Sequence, residues 1–195
     1  MHYGFIGLGN LGSKLAARLA ENGFAVTGFD TNTGFRESLE HAGVTFARSP
    51  QELASAVDHV ITCLPSPDAS SAVLDQILGA MGSDASVIEM STIGRDDAIR
   101  FAAVAEGAGV GFLELPVTGG VHLAAVGELT LLAGGPASLI ALHEPALNVM
   151  GNEVIHMGPV GSASLIKVIT NMLALVHLQV CGEALMLASR GGLDL

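Results

Sequence analysis

The sequence predicts an α/β fold with a doubly wound, mainly parallel sheet, followed by one long apolar helix. Three observations carry this. An apolar strand at the start, Tyr3-Gly4-Phe5-Ile6, runs into Gly7-x-Gly9-x-x-Gly12, after which Leu11, Leu15 and Leu19 take up helical spacing. Strand-like and helix-like runs then alternate as far as Met157, the pattern of parallel strands joined by right-handed helical crossovers. Finally, residues 163–189 are apolar almost throughout, a run far too long for a strand.

In a strand–turn–helix unit of this kind, the first glycine permits the turn, the second lets backbone approach a pyrophosphate, and the third lets helix pack on strand. The helix N-terminus adds unpaired N–H groups and the positive end of a dipole. In a chain with 25 glycines such spacing is weak by itself. Its setting makes it specific: a second strand over residues 25–29 ends in Asp30, about 20 residues after the loop, where a carboxylate meets an adenosine ribose. A Rossmann-type dinucleotide site is therefore expected from Gly7, Leu8, Gly9, Asn10, Leu11 and Gly12, with Asp30 and Thr31 at the ribose end.

Further along, residues 33–42 read as a short helix and 44–46 as a short strand. Ser49 is placed to cap the next helix, with Pro50 at its first position. A buried strand over 58–64 stops at Pro65-Ser66-Pro67, so Leu64 and Pro65 fall at a carboxyl end, the edge where ligands bind in such sheets. A helix over 68–78 and a strand over 86–90 lead to Ser91-Thr92-Ile93-Gly94. Thr92 there either meets a nicotinamide or its ribose, or these residues cap a helix over 96–108. A strand over 112–115 opens into Pro116-Val117-Thr118-Gly119-Gly120-Val121-His122. Then come a strand over 129–132, Gly134-Gly135-Pro136, a helix to Met150 and a strand over 153–157. Ser162 or Ser164 is expected to cap the long helix.

Composition narrows the class. A formal charge of -11 and a pI near 4.8 exclude a basic nucleic-acid surface. Cys63 and Cys181 lie in apolar runs without framework spacing, as reduced core residues of a cytoplasmic chain do, and no targeting segment precedes the first strand. No residue cluster has metal-ligand spacing. His156 and His177 read as partly buried structural residues. A mean hydropathy of +0.55 with 14% charged residues implies apolar surface that meets something else. The long helix supplies it. Lys167, Asn171, His177, Gln179 and Glu183 interrupt that helix, and a central charge costs about 2.5–3.5 kcal/mol on insertion, so no membrane span is expected. A helix apolar nearly all round is instead buried between domains or subunits, predicting a homodimer or higher homo-oligomer. The expected division is a dinucleotide-binding domain over 1–161 and a second part over 162–195.

As an ordered set, several pieces of the chain resemble the beta-hydroxyacid dehydrogenase family: F-I-G-L-G-N-L-G at 5–12, F-D at 29–30, L-P at 64–65, S-T-I at 91–93, L-P-V-T-G-G at 115–120, G-E-L-T at 127–130, A-G-G at 133–135 and G-S-A-S-L-I-K-V-I-T-N at 161–171. The resemblance implies hydride transfer between NAD and a small 3-hydroxy acid or its semialdehyde. It puts Thr118, Gly119 and Gly120 at the substrate, Lys167 at the catalytic lysine and Asn171 at the substrate-binding asparagine. It also implies an all-helical domain after Gly192-Leu193-Asp194. Thr118 stands where the family usually has serine and Ser164 where glutamine is common. His122 is not a usual family residue and is a further candidate substrate contact and alternative acid.

The chemistry of the residues agrees with that resemblance. Reducing a carbonyl leaves negative charge on oxygen and calls for a proton donor. Lys167, with its ordinary value near 10.4 lowered by burial, suits the role in both directions, and Asn171 at i+4 shares its helix face. The plainer reading of Lys167 is a lysine snorkelling from an apolar helix. Asp30 opposes a 2′-phosphate within about 4 Å by about 1–4 kcal/mol, which favours NAD over NADP unless Arg36 folds over the ribose. The competing function is a non-catalytic or truncated NAD-binding or association module.

Overall fold

The chain opens with β1 (His2–Ile6), whose residues from Tyr3 to Ile6 are buried. It crosses through α1 (Gly12–Glu21) to β2 (Ala25–Phe29), then through α2 (Arg36–His41) to the two-residue β3 (Thr45–Phe46). The chain then returns to the other side of β1. Helix α3 (Pro50–Ala56) leads to β4 (His59–Thr62), α4 (Pro67–Ile77) with a 3-10 turn at Leu78–Ala80 leads to β5 (Ser86–Glu89), and α5 (Arg95–Gly107) leads to β6 (Gly111–Glu114). The strands from β3 through β2, β1, β4 and β5 to β6 are all parallel. The reversal between β1 and β4 leaves a crevice at their carboxyl ends, the position where doubly wound sheets take ligands. This computed structural model describes all 195 residues, and it is the α/β, mainly parallel architecture expected.

Beyond β6 the topology changes. The short β7 (Val117–Thr118) and α6 (Val121–Val126) precede β8 (Leu129–Gly134), and neither was anticipated from the sequence. Strand β8 runs antiparallel to both β6 and β7, so residues 114–118 form one run beside it, bent at Pro116, whose carbonyl accepts the Leu132 N–H at 2.9 Å. Helix α7 (Ala137–Met150) then returns the chain to β9 (Gly151–Gly158), parallel to β8.

Two apolar clusters sandwich the sheet. One joins Leu15 and Leu19 of α1, Leu39 of α2 and Leu147 of α7 to Phe5, Ile61 and Ile88. The other joins Leu53 of α3, Leu74 of α4 and Phe101 of α5 to Ile6, Val60 and Val87. Alternating strand residues therefore serve opposite faces, as a sheet covered on both sides requires. At the amino edge a buried polar chain ties four elements together: the Tyr3 hydroxyl meets His143 Nδ1 at 2.9 Å, His143 Nε2 meets Ser86 Oγ at 2.8 Å, and Ser86 Oγ meets His59 Nδ1 at 3.0 Å. Burial pushes the Tyr3 phenol up to about 12. Burial, and then the neighbouring His59, lower His143 to about 4.

Ser49 caps α3 by accepting the Glu52 N–H, with Pro50 following. The other expected caps are corrected. Gly94 precedes α5 without a side-chain cap, because Ser91 is engaged elsewhere. Gly161 precedes α8 (Ser162–Arg190), again without a side-chain cap of its own. Within this chain α8 buries only Ala163 and Ser164. Leu175, Leu178 and Leu187 are 68%, 72% and 74% exposed. The helix is long and apolar enough, by length and composition, to cross a membrane. Cys181 and His177 lie on its exposed part, so the expectation of a core cysteine and a partly buried histidine fails there; Cys63 is half-buried.

Candidate functional site

The loop between β1 and α1 builds one wall of the crevice. Gly7 takes φ +96°, the left-handed region, and a side chain there would be driven into the Cys63 carbonyl; only glycine fits without strain. Its N–H donates to the Phe29 carbonyl at 3.1 Å, fastening the turn to the end of β2. The space a Cβ would need at Gly12 is filled by the Gly7 carbonyl oxygen, so α1 starts flush against the turn. Gly9 is different: nothing lies within 4 Å of where its Cβ would be, and that opening is the approach a pyrophosphate needs. No side chain caps the N-terminus of α1; the Ser13 and Lys14 N–H groups donate to the carbonyls of Gly9 and Leu11 at 3.0 Å, so the N–H groups left to an anion are those ahead of Ser13.

Asp30 forms the far end. Its Oδ2 accepts the Leu8 N–H at 2.6 Å and its Oδ1 accepts the Asn32 N–H at 2.7 Å, so the carboxylate is fixed against the glycine loop. Arg36 does not fold over this end. It pairs with Glu40 at 2.8 Å and lies 4.7 Å from the centre of the Phe46 ring. The third side is the turn after β4, where the Leu64 N–H donates to Ser91 Oγ at 2.7 Å and the Ser91 N–H donates to Glu89 Oε1 at 2.8 Å. Glu89 is fully buried. Burial raises its carboxyl above the ordinary range, opposed by the hydrogen bond from Ser91; its Oε2 has no partner. Burial, with Glu89 second, pushes the nearby Cys63 thiol up to about 12, which removes it as a nucleophile at neutral pH.

These walls enclose a cavity of about 530 Å³ lined by Gly7, Gly9, Asn10, Leu11, Gly12, Asp30, Thr31, Leu64 and Pro65, together with Asn32 and Cys63 among others. Nine of the residues singled out in the sequence for the cofactor thus share one space. Two stand apart from it. Leu8 points into the core at 2% exposure and contributes only the N–H that Asp30 takes. Thr92 is exposed after β5 and does not line the cavity. The supporting pair Ser91 and Glu89 was not singled out for this role; the only sequence signal was a hydroxyl following a strand's carboxyl end. The residues present fit a dinucleotide: an open glycine approach, a helix N-terminus without a side-chain cap and a fixed carboxylate.

The other candidate residues lie on more open ground. Thr118, Gly119 and His122 are exposed and Gly120 is half-buried, on the turn from β7 into α6, whose following helix packs on α1. Gly120 leaves room for the His122 ring, since a Cβ there would stand 2.7 Å from Nδ1. Lys167 and Asn171 are half-buried on α8, and burial lowers the Lys167 ammonium below its ordinary value. None of the five cavities is lined by Lys167, Asn171 or residues 118–120. No group of three or more His, Cys, Asp or Glu residues comes together as metal ligands.

Fold and crevice together define a Rossmann-type dinucleotide-binding protein. Residues 2–158 match the family described as the NAD binding domain of 6-phosphogluconate dehydrogenase, and the chain belongs to that family. It is 34% identical over 194 residues to the mitochondrial 3-hydroxyisobutyrate dehydrogenase of Rattus norvegicus, a match covering 98% of this chain and 58% of the rat protein. It is 33% identical over 193 residues to the NAD-dependent L-serine dehydrogenase of Pseudomonas aeruginosa, covering 97% of this chain and 65% of that one. Among solved structures, the Mycobacterium tuberculosis 3-hydroxyisobutyrate dehydrogenase with L-serine superposes with a TM-score of 0.94 at 34% identity, covering 100% of this chain and 67% of that chain. The resemblance to hydroxyacid dehydrogenases is borne out. The chain spans 58% and 65% of the length of these two curated relatives.

Proposed function

We propose that the chain is the cofactor-binding part of an oxidoreductase that moves a hydride between NAD and a small 3-hydroxy acid or its semialdehyde. The observation that carries this is the crevice at the β1/β4 reversal, where the glycine loop and the fixed Asp30 carboxylate converge on one cavity. NAD bound there supplies or accepts the hydride. In this reading Gly9 and the first turn of α1 hold the pyrophosphate, Asp30 and Thr31 meet the ribose, and Leu64, Pro65 and Thr92 bound the nicotinamide side. Asp30 disfavours a 2′-phosphate, and Arg36 is committed to Glu40 and Phe46, so NAD is preferred to NADP.

Lys167 is assigned the proton. Its lowered pKa brings the ammonium closer to the operating range, where a donor gives up its proton to a developing alkoxide and takes it back in the oxidative direction. Asn171, Thr118, Gly119, Gly120 and His122 are assigned to substrate. Residues 1–161 constitute the dinucleotide domain, and 162–195 the helix that carries Lys167 to a substrate-closing part. The bare apolar surface of α8 supports self-association into a homodimer or higher oligomer in the cytoplasm. A second reading, a binding module without turnover, is favoured by one observation: no cavity in this chain unites Lys167, Asn171 and residues 118–120.

The test is NADH oxidation with a panel of small semialdehydes. Turnover at a rate above the uncatalysed one establishes the dehydrogenase; saturable NADH binding with no turnover on any substrate establishes the module.

A further inference from the structure

The carboxyl ends of β5 and β6 carry two buried glutamates side by side, Glu89 and Glu114, register partners in the sheet. Glu89 braces the nucleotide crevice through Ser91. Glu114 serves α8. Its Oε1 accepts the N–H groups of Gly161 at 2.6 Å and Ala163 at 2.9 Å. Its Oε2 accepts the Ser164 N–H at 3.2 Å and the Ser164 hydroxyl at 2.5 Å. Four donors, three from the first turn of a 29-residue helix and one from the Gly161 that precedes it, thus converge on one carboxylate, which also faces the positive end of the helix dipole.

The surroundings are shaped to admit it. Gly134, opposite Glu114 across the β6–β8 pair, would drive any Cβ into that carboxylate. Gly161 stands at φ +96°, a left-handed conformation in which its N–H reaches Oε1. Behind it, the Gly135 N–H donates to the Gly158 carbonyl at 2.9 Å, and His156 Nε2 lies 3.0 Å and 3.1 Å from the carbonyls of Gly135 and Gly158. The A-G-G and G-S-A-S motifs, which the nucleotide crevice does not use, share one purpose here: to seat this carboxylate and the turn it holds.

Lys167 lies one turn further on, three residues after Ser164 and four after Ala163, and is the first ionisable residue of α8. Ala163 and Ser164, the only buried residues of the helix, are both held by Glu114. We propose that Glu114 is a positioning residue: it pins the first turn of α8 to the carboxyl edge of the sheet and so fixes where Lys167 stands. The consequence for turnover rests on the reading of Lys167 as proton donor; the placement does not.

The chain has two lysines, Lys14 and Lys167, so reductive ¹³C-methylation followed by NMR titration reports Lys167 beside an internal reference. In Glu114→Gln the side-chain amide presents donors where two donors must be accepted, the turn loosens, and water reaches Lys167. Its titration then moves upward by at least about half a pH unit, as relief of desolvation requires, while Lys14 stays put and NAD affinity stays within about twofold. Ser164→Ala, which removes one of the four bonds, moves Lys167 in the same direction by less. An unchanged Lys167 overturns the proposal, and so does a downward shift, because losing a nearby negative charge without loosening the helix lowers a lysine. If Glu114→Gln fails to fold, as shown by loss of NAD binding, Ser164→Ala decides by the same criterion. None of these readings uses turnover, so absence of hydride transfer would contradict the proposed reaction and leave this result standing.

Discussion

In the nucleotide crevice, the turns that form the walls are fastened by bonds between residues 22 to 27 positions apart, Leu8 to Asp30, Gly7 to Phe29 and Leu64 to Ser91, and the β1–β4 pairing with the Cys63 N–H to Ile6 carbonyl bond joins them. The α8 region is held by bonds spanning 47 to 50 positions, all through Glu114, and beyond its first turn it touches little else. The crevice encloses a cavity; the face bearing Lys167 and Asn171 encloses none. The first region is complete within this chain, and the second carries chemical groups on a helix whose apolar surface has no cover here. In the proposed reading the difference separates the cofactor site from the residues assigned to proton and substrate, and each prediction below breaks or sharpens that separation.

The largest effect belongs to the second region. Lys167→Ala lowers turnover by about 10²–10⁴-fold, the usual contribution of a general acid, while NADH affinity stays unchanged, as steady-state rates and a fluorescence titration will show. Within the crevice, Gly12→Val pushes a side chain into the Gly7 backbone and costs about 1–3 kcal/mol of stability along with NAD binding. Gly9→Ala meets nothing in the protein, so it leaves thermal stability within about 0.5 kcal/mol and weakens only the cofactor. Equal melting losses in the two variants would contradict the assignment of Gly9 to ligand approach. Asp30→Asn keeps an acceptor for the Leu8 N–H and removes the charge; the preference for NAD over NADP narrows by about tenfold, read as a ratio of dissociation constants.

The effect least connected to either region lies at the amino edge. His143 has its pKa lowered from 6.5 to about 4, by burial first and His59 second, so the unfolded chain binds its proton at higher pH than the folded one. Stability from this group is intact above pH 6.5 and is lost as pH falls towards 4, with a slope of about 1 kcal/mol per pH unit at most. Glu89, whose pKa is raised, acts oppositely, its contribution fading as pH rises above 4.5. The comparison with His143→Gln therefore isolates the histidine: the variant's denaturation midpoint falls less between pH 6.5 and 4 than that of the unaltered chain.

The crevice was legible because its causes are local. A glycine at a left-handed turn, a proline after a strand and a carboxylate at the end of the second strand each leave a mark within a few residues of where they act. What escaped was non-local or short. Strand β7 is two residues long and α6 six, too brief for periodicity to speak. The caps of α5 and α8 were assigned to nearby serines because serine is a good local cap. In the fold Ser91 turns to Leu64, and a glutamate from another strand does the work expected of Ser162 or Ser164. The exposure of α8, with Cys181 and His177 on it, was unreadable for a related reason: an apolar helix announces that it wants burial, not where its cover comes from.

The claim that the nucleotide half is complete in this chain is tested most directly by titrating NADH into the chain and following nicotinamide fluorescence, in parallel with Gly12→Val and Lys167→Ala. One saturable site per chain, lost in Gly12→Val and kept in Lys167→Ala, is the predicted result. Absence of binding to the unaltered chain, or binding that survives Gly12→Val and fails in Lys167→Ala, would contradict it.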